Sequence, residues 1–269
     1  MPIPARGPAR APVKVATWNV NSVRARLARV LDWVDRAAPD VLLLQETKVT
    51  DQDFPAEPFD ERAYNLAVVG EAGGRNGVAI LSKRPIEDVV NALPGDPDDA
   101  EARYVEAFTG GLRIASVYVP NGTAVGSERF AFKLAFFERL RDHAARVLED
   151  MDTPFIIGGD FNVAPQPIDV YDAEALDGTV CYHADERRRF RSLIHLGLYD
   201  AWRVVEPRTQ AFSWWHYQGR SWKANEGLRI DHLLLSPLAV DRLQACGMDR
   251  EVRAERTPSD HVPVWCTLA

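Results

Sequence analysis

Cysteine is scarce in this chain of 269 residues: Cys181, Cys246 and Cys266 are the three present, and no two form a Cys-x-x-Cys pair. An odd, widely spaced set excludes a disulfide framework and a cysteine-built zinc site, and it points to a reducing cytoplasm. Histidine is sparse as well, with 6 residues and no His-x3-His spacing, so a zinc site on paired imidazoles is excluded too. Long apolar runs are missing. The longest candidates, such as Val41–Leu44, are strand-sized, far short of the ~18–20 residues that span a bilayer. The opening MPIPARGPARAP has positive charge and proline but no apolar centre, so residues 1–12 read as a disordered tail and not as a secretory signal. Gly/Ser-rich linkers and internal repeats are lacking, so residues 13–269 read as a single domain. Positive charge is not in surplus either: 32 Lys and Arg against 39 Asp and Glu leave a net charge of −7. Taken alone, that balance argues against a nucleic-acid partner, although a basic face offset by acid elsewhere is compatible with it.

What is present is an ordinary globular composition, 46% hydrophobic and 26% charged, arranged as alternating strands and helices. Lys14–Trp18 reads as a strand. Asn21–Ser22 offers a helix cap, and Val23, Leu27, Val30, Leu31 and Val34 mark one helical face that Pro39 stops. Val41–Leu44 and Phe155–Ile157 read as buried strands; Gly77–Leu81, Tyr104–Phe108, Leu112–Val119, Ile230–Leu235 and Val262–Leu268 read as further strands. A second helix is expected from Ser127 with Phe130, Leu134, Phe137, Leu140, Val147 and Leu148 as its stripe. A third is expected over Asp185–Leu196, closed by Gly197. The pattern predicts sheets covered by helices in an α/β fold. Acid crowds one probable loop, Gly95–Glu101, while Arg24, Arg26 and Arg29, and Arg187–Arg189 with Arg191, form basic clusters that read as solvated helix faces.

The chemistry shows where polar residues interrupt apolar strands. Val41–Leu44 runs into Gln45–Glu46, and Phe155–Ile157 runs through two glycines into Asp160, with Asn162 two places on. Asp231 opens Ile230–Leu235, and Asp260–His261 precedes Val262–Leu268. With those strand pairs antiparallel, the four groups gather at one edge of the core, where Trp18–Asn19 can join them. Any one of these acids is explained by a cap or loop hydrogen bond. Four together, buried, demand a neutralising cation. Oxygen ligands without thiolates suit hard Mg2+ or Mn2+.

WNVNSVR (18–24), LLLQETK (42–48), YVPNG (118–122), GGDFN (158–162), RID (229–231) and SDH (259–261) occur in the order found in the exodeoxyribonuclease III family. The chain resembles that family, part of the endonuclease/exonuclease/phosphatase superfamily, from about residue 13 to the end. The resemblance implies a DNase I-like fold of two packed mixed β-sheets flanked by helices, a four-layer α/β sandwich. It implies Mg2+-dependent phosphodiester hydrolysis, incising 5′ to abasic sites, removing nucleotides 3′→5′ from duplex DNA, or both. The implied partner is double-stranded DNA with abasic sites or 3′ ends; the protein is expected as a monomer away from membranes, in the cytoplasm with the nucleoid.

The same resemblance distributes roles. Glu46 resembles the principal metal ligand, Asn19 a metal-side or phosphate-orienting amide, and Asp260 an assistant to the histidine or a second metal position. Asp160 resembles the group that activates water, with Asn162 beside it. Asp231 orients His261, whose imidazolium binds the phosphate. Tyr118 resembles a phosphate-contacting or nucleophile-assisting phenol, so the base stays open between Asp160 and Tyr118. Asn121, Trp214, Lys223 and Arg24 stand as substrate contacts, Trp214 through the FSWW stretch that resembles an abasic-pocket loop. Asn21 stands where some relatives carry aspartate. The alternatives are a superfamily phosphatase or phosphodiesterase with a non-DNA substrate, a carboxylate-pair glycosidase needing no metal, and a non-catalytic nucleic-acid-binding relative.

Overall fold

A computed structural model describes residues 12–150 and 152–269; apart from Pro12, the expected N-terminal tail lies outside the described residues. The strands are β1 (Val13–Asn19), β2 (Val41–Gln45), β3 (Asn65–Val69), β4 (Val78–Ser82), β5 (Ile86–Val90) and β6 (Tyr104–Thr109). They continue with β7 (Leu112–Tyr118), β8 (Phe155–Asp160), β9 (Tyr199–Asp200), β10 (Asp231–Leu235), β11 (Leu243–Met248) and β12 (Val264–Leu268). The helices are α1 (Val23–Ala37), α2 (Glu57–Asp60), α3 (Glu128–Val147), α4 (Ala184–Ile194), α5 (Ala201–Val205), α6 (Ser221–Ala224) and α7 (Pro237–Val240).

Two six-stranded sheets result, ordered β11-β12-β1-β2-β4-β3 and β5-β6-β7-β8-β10-β9. β1 and β2 run parallel in the first, β7 and β8 in the second, and their other neighbours run antiparallel, so both sheets are mixed. Alternation along each strand explains the layers. Val15 and Leu43 turn inward with Ile80, Ile114, Ile156 and Leu233 to form the core between the sheets. Ala16, Trp18, Leu42 and Leu44 turn outward onto Val30, Trp33 and Val34 of α1. Val117, Phe155 and Ile157 turn outward onto Phe136, Phe137 and Leu140 of α3 and Phe190 and Leu193 of α4. Strands buried on both faces read as continuous apolar runs, as Val41–Leu44 does. The layering is helix, sheet, sheet, helix, the expected four-layer sandwich.

Local signals account for the helix limits. The Ser22 hydroxyl accepts from Ala25 N to start α1, and left-handed Ala38 (φ 46) ends it before Pro39. Ser127 caps α3 through Phe130 N. The buried face of α3 differs from the expected stripe: Lys133, Phe136 and Ala144 are buried on it, whereas Leu134 is only half-buried. The lysine sits inside because it meets Glu186 of α4, and both side chains are 0% exposed. In the GGDFN segment, which as a sequence also fits a tight turn, Gly158, Gly159 and Asp160 are instead the end of β8, and Phe161 and Asn162 follow it. Its glycines are required by close approach: a Cβ on Gly159 would lie 1.9 Å from the Val117 carbonyl oxygen, and one on Gly158 would lie 2.5 Å from Leu43 Cδ1.

Candidate active site

Parallel pairing brings the ends of β1 and β2 side by side, with Asn19 opposite Gln45, and the ends of β7 and β8 likewise, with Tyr118 opposite Asp160. Antiparallel β10 begins where β8 ends, so Asp231 is the register partner of Asp160. Asp260 and His261 arrive on the segment leading into β12, which is antiparallel to β1. The two sheets therefore deliver their polar ends to one cleft of about 330 Å³, lined by Glu46, Tyr118, Asn121, Asp160, Asn162, Trp214, Asp260 and His261. Glu46 and Asn162 leave their strands in the left-handed region (φ 50 for each), which a non-glycine residue adopts at an energetic cost.

Hydrogen bonds fix the arrangement. Asn19 Nδ2 donates to Glu46 Oε1 and to Asp160 Oδ2, 2.9 Å each, while its Oδ1 accepts from Asn21 N at 3.0 Å. The amide thus holds two carboxylates together and keeps its oxygen turned toward backbone. Asn162 N donates to Asp160 Oδ1 at 2.8 Å, and Asn121 Nδ2 donates to Asn162 Oδ1 at 3.1 Å. His261 Nδ1 meets Asp231 Oδ2 at 2.8 Å, which turns Nε2 toward Asp160 Oδ2 at 3.7 Å. Asp260 spends both oxygens elsewhere, on Asn21 Nδ2 and on Trp214 Nε1, 3.0 Å each. Trp214 is half-buried on the cleft wall, while its neighbour Trp215 is fully buried core.

Two expected contacts lie elsewhere. Arg24 does not line the cleft; its guanidinium pairs with Asp53 at 3.0 Å on an exposed face. Lys223 is exposed on α6, also outside the lining. Arg26 of the same helix as Arg24 donates instead to the Asn21 carbonyl and to Tyr217 Oη. Several residues that motif reading passed over carry the geometry. Lys48 pairs with Glu46 at 2.8 Å, Ser213 Oγ donates to Asp231 Oδ2 at 2.6 Å, and Ser259 Oγ donates to the Asn19 carbonyl at 2.7 Å. Gln45 joins the sheets beneath the cleft by donating to Ser116 Oγ at 2.9 Å. Their signal was position: each sits within one of the quoted motifs or the FSWW stretch, apart from Ser116.

Electrostatics follow from crowding. Burial opposes charge on His261, but Asp231 and then Asp160 outweigh it and hold the imidazole up at about 10. Burial pushes the Asp160 carboxyl up to about 7; His261 counters and Asp231 adds to it. Burial also works against Glu46, yet Lys48 and the Asn19 amide prevail and keep it below its ordinary value. Burial, then Glu46 and Asp160, push the Tyr118 phenol well above its usual range.

One ligand atom each from Glu46, Asp160 and His261 lies within 4.8 Å of the others, a spacing compatible with a metal ion. His261 held as imidazolium is a cation and offers no lone pair, so the donors are carboxylate oxygens. Among the described residues, Glu46, Asp160, Asp231 and Asp260 form close ion pairs only with His261 and Lys48, and the surplus negative charge suits a divalent hard ion.

A sequence profile of the endonuclease/exonuclease/phosphatase family matches residues 16–261. The chain belongs to this family. It is 31% identical over 265 residues to exodeoxyribonuclease III of Haemophilus influenzae, covering 94% of this chain and 98% of that one. Its structure superposes with a TM-score of 0.93 on the 3′ phosphatase NExo from Neisseria bound to a product DNA hairpin (35% identity; 96% of this chain, 99% of that one). An AP endonuclease from Archaeoglobus fulgidus gives 0.91 at 35% identity, covering 95% and 99%. These relationships make the chain a nuclease of the family, and its two mixed sheets are those of its structural neighbours.

Proposed function

We propose that this cleft hydrolyses phosphodiester bonds of duplex DNA, 5′ to abasic sites and at 3′ ends, with Mg2+ held by Glu46 and Mn2+ able to substitute. The enzyme would act in DNA repair as a cytoplasmic monomer on nucleoid DNA. The observation that carries this reading is the meeting of Glu46, Asp160 and His261 within 4.8 Å, with Asp231 behind the histidine. When bound, the cation supplies Lewis-acid neutralisation of the phosphate and of the departing 3′-oxygen. His261, charged through Asp231, donates Nε2–H to a nonbridging phosphate oxygen as negative charge gathers there. Asp160, held by Asn19 and Asn162, accepts the proton of the water that attacks phosphorus. The bond from phosphorus to the 3′-oxygen breaks, and that oxygen takes a proton from solvent water, leaving a 3′-hydroxyl and a 5′-phosphate. Asp160 fits the base better than Tyr118, because a carboxyl near 7 gives up and takes protons at working pH while a phenol raised well above 10 does not. Tyr118 and Asn121 then serve as phosphate contacts, and Trp214 packs against the baseless sugar.

Likeness to the Neisseria 3′ phosphatase favours one second reading, removal of a terminal 3′-phosphate by the same groups. A single experiment separates the readings: labelled duplexes carrying one tetrahydrofuran abasic analogue, a plain recessed 3′ end or a 3′-phosphate are compared, each with EDTA and after Mg2+ is restored. Incision or resection that EDTA abolishes and Mg2+ restores is expected. Release of phosphate alone would move the protein to the second reading, and turnover in EDTA would overturn both.

A further inference from the structure

A cavity of about 590 Å³ shares no lining residue with the candidate active site. It is a groove between α4 and α5, closed at one end by β9. Helical spacing puts Arg187, Arg191 and Ile194 of α4 on one wall, at i, i+4 and i+7. Leu198, Tyr199 and Val204 supply apolar surface opposite. Tyr199 is 44% and Val204 47% exposed, and Val205 beside them is 38% exposed, so part of the protein's exposed apolar surface is gathered here.

The groove's charge is one-sided in a chain whose net charge is −7. Asp200 is the one acid in its lining, and that carboxylate is already engaged by Arg229 at 2.8 Å. Arg187 pairs with Asp177 and Arg203 with Asp169, both outside the lining, whereas Arg191 stands exposed at the rim with no carboxylate in ion-pairing distance among the described residues. We propose that this groove docks a short peptide segment of a partner protein in which apolar side chains adjoin carboxylates. Apolar side chains would fill the cavity, whose size is within the ~300–1,000 Å³ of ligand clefts. The Arg191 guanidinium at the rim would take a carboxylate in a bidentate pair. A nucleic-acid backbone would meet the rim but leave the apolar walls unfilled, so a peptide complements the groove better.

The test uses the full chain, labelled, on an array of eight-residue peptides in which net charge and apolar content vary independently, alongside Arg191→Glu and Val204→Glu, both at exposed positions. Expected is a signal confined to acidic, apolar peptides, confirmed by anisotropy with the strongest of them, and weakened by roughly tenfold or more in each variant. Nuclease activity on duplex DNA should match wild type in both, which keeps this proposal separable from the catalytic one. No saturable peptide binding, equal binding of basic peptides, or variants that weaken duplex affinity and leave peptide binding alone would each overturn it, the last in favour of a DNA contact.

Discussion

At the scale of single residues, the decisive feature is a histidine surrounded by carboxylates. His261 is raised from 6.5 to about 10, Asp231 being the largest raising influence. A group raised in the folded chain adds stability that is complete below its ordinary value and lost as pH climbs through the raised one. With the imidazolium as the proposed working form, kcat/KM should fall as pH rises through about 10, and Asp231→Asn should move that alkaline limb to lower pH. A limb that stays in place in Asp231→Asn would remove Asp231 from the role. His261→Asn should cost at least ~10²-fold in turnover at neutral pH, the worth of one positioned donor. Trp214 separates repair from generic cleavage. Its loss in Trp214→Ala should lower kcat/KM on abasic duplex by roughly tenfold to a hundredfold, the value of one aromatic stacking partner, and leave a small activated phosphodiester unaffected. Equal losses on both substrates would mark it as packing alone. Motif reading reached Asp231 and His261 because each is polar where an apolar strand begins, and Trp214 through the FSWW stretch that resembles an abasic-pocket loop. It missed Lys48 and Ser213 because a lysine after a strand and a serine in a loop look ordinary until their partners, Glu46 and Asp231, are placed beside them.

Among elements, the strands that escaped sequence reading are β3, β5, β9 and β11, the four sheet edges. Their side chains are half-exposed, as in β5, where Glu87, Asp88 and Val89 all face solvent, so neither an apolar run nor clean alternation develops. Interior strands, buried on both faces, announced themselves. Lys133 escaped for the opposite reason, a charge inside a helix face, intelligible only with Glu186 in view. Its Nζ donates to the Asn162 carbonyl at 2.7 Å and the Asn121 carbonyl at 3.0 Å, so it ties α3 and α4 to the loops that enter the cleft. Breaking one partner of a buried pair costs about 3–5 kcal/mol. Lys133→Met should therefore lower the melting temperature by roughly 6 °C or more, with Lys133→Met/Glu186→Gln losing less than the sum of the two single changes. Additive losses in calorimetry would show that the two side chains do not act as a pair. Gly159→Ala tests the β7–β8 junction, since its Cβ would meet the Val117 carbonyl oxygen at 1.9 Å. Overpacking against backbone should cost about 1–3 kcal/mol or more and lower activity in step by parting Tyr118 from Asp160. A variant as stable and active as wild type would show that the strands can separate freely there.

For the whole molecule, the acidic balance that taken alone argues against DNA is concentrated in part in the cleft, at Glu46, Asp160 and Asp260. The cleft is a pocket of excess negative charge, and the proposed cation there would couple metal binding to folding. Asp160 is raised from 3.8 to about 7 by burial, so the folded chain keeps a proton there that the unfolded chain releases. Its contribution to stability therefore declines as pH rises from the lower value through the upper one. A cation that binds the ionised cluster only in the folded chain reverses the loss, adding about 2.7 kcal/mol at a hundredfold excess over its dissociation constant. For a chain this size that corresponds to roughly 5–10 °C in melting temperature. Millimolar Mg2+ should accordingly raise the melting temperature more at about pH 8 than at about pH 6, because only the former leaves Asp160 ionised before the ion arrives. Glu46→Gln should shrink the shift at both pH values, and Asp160→Asn should abolish its pH dependence. A shift of the same size at both pH values in wild type, unchanged in the two variants, would mean the ion stabilises the protein somewhere other than this cleft.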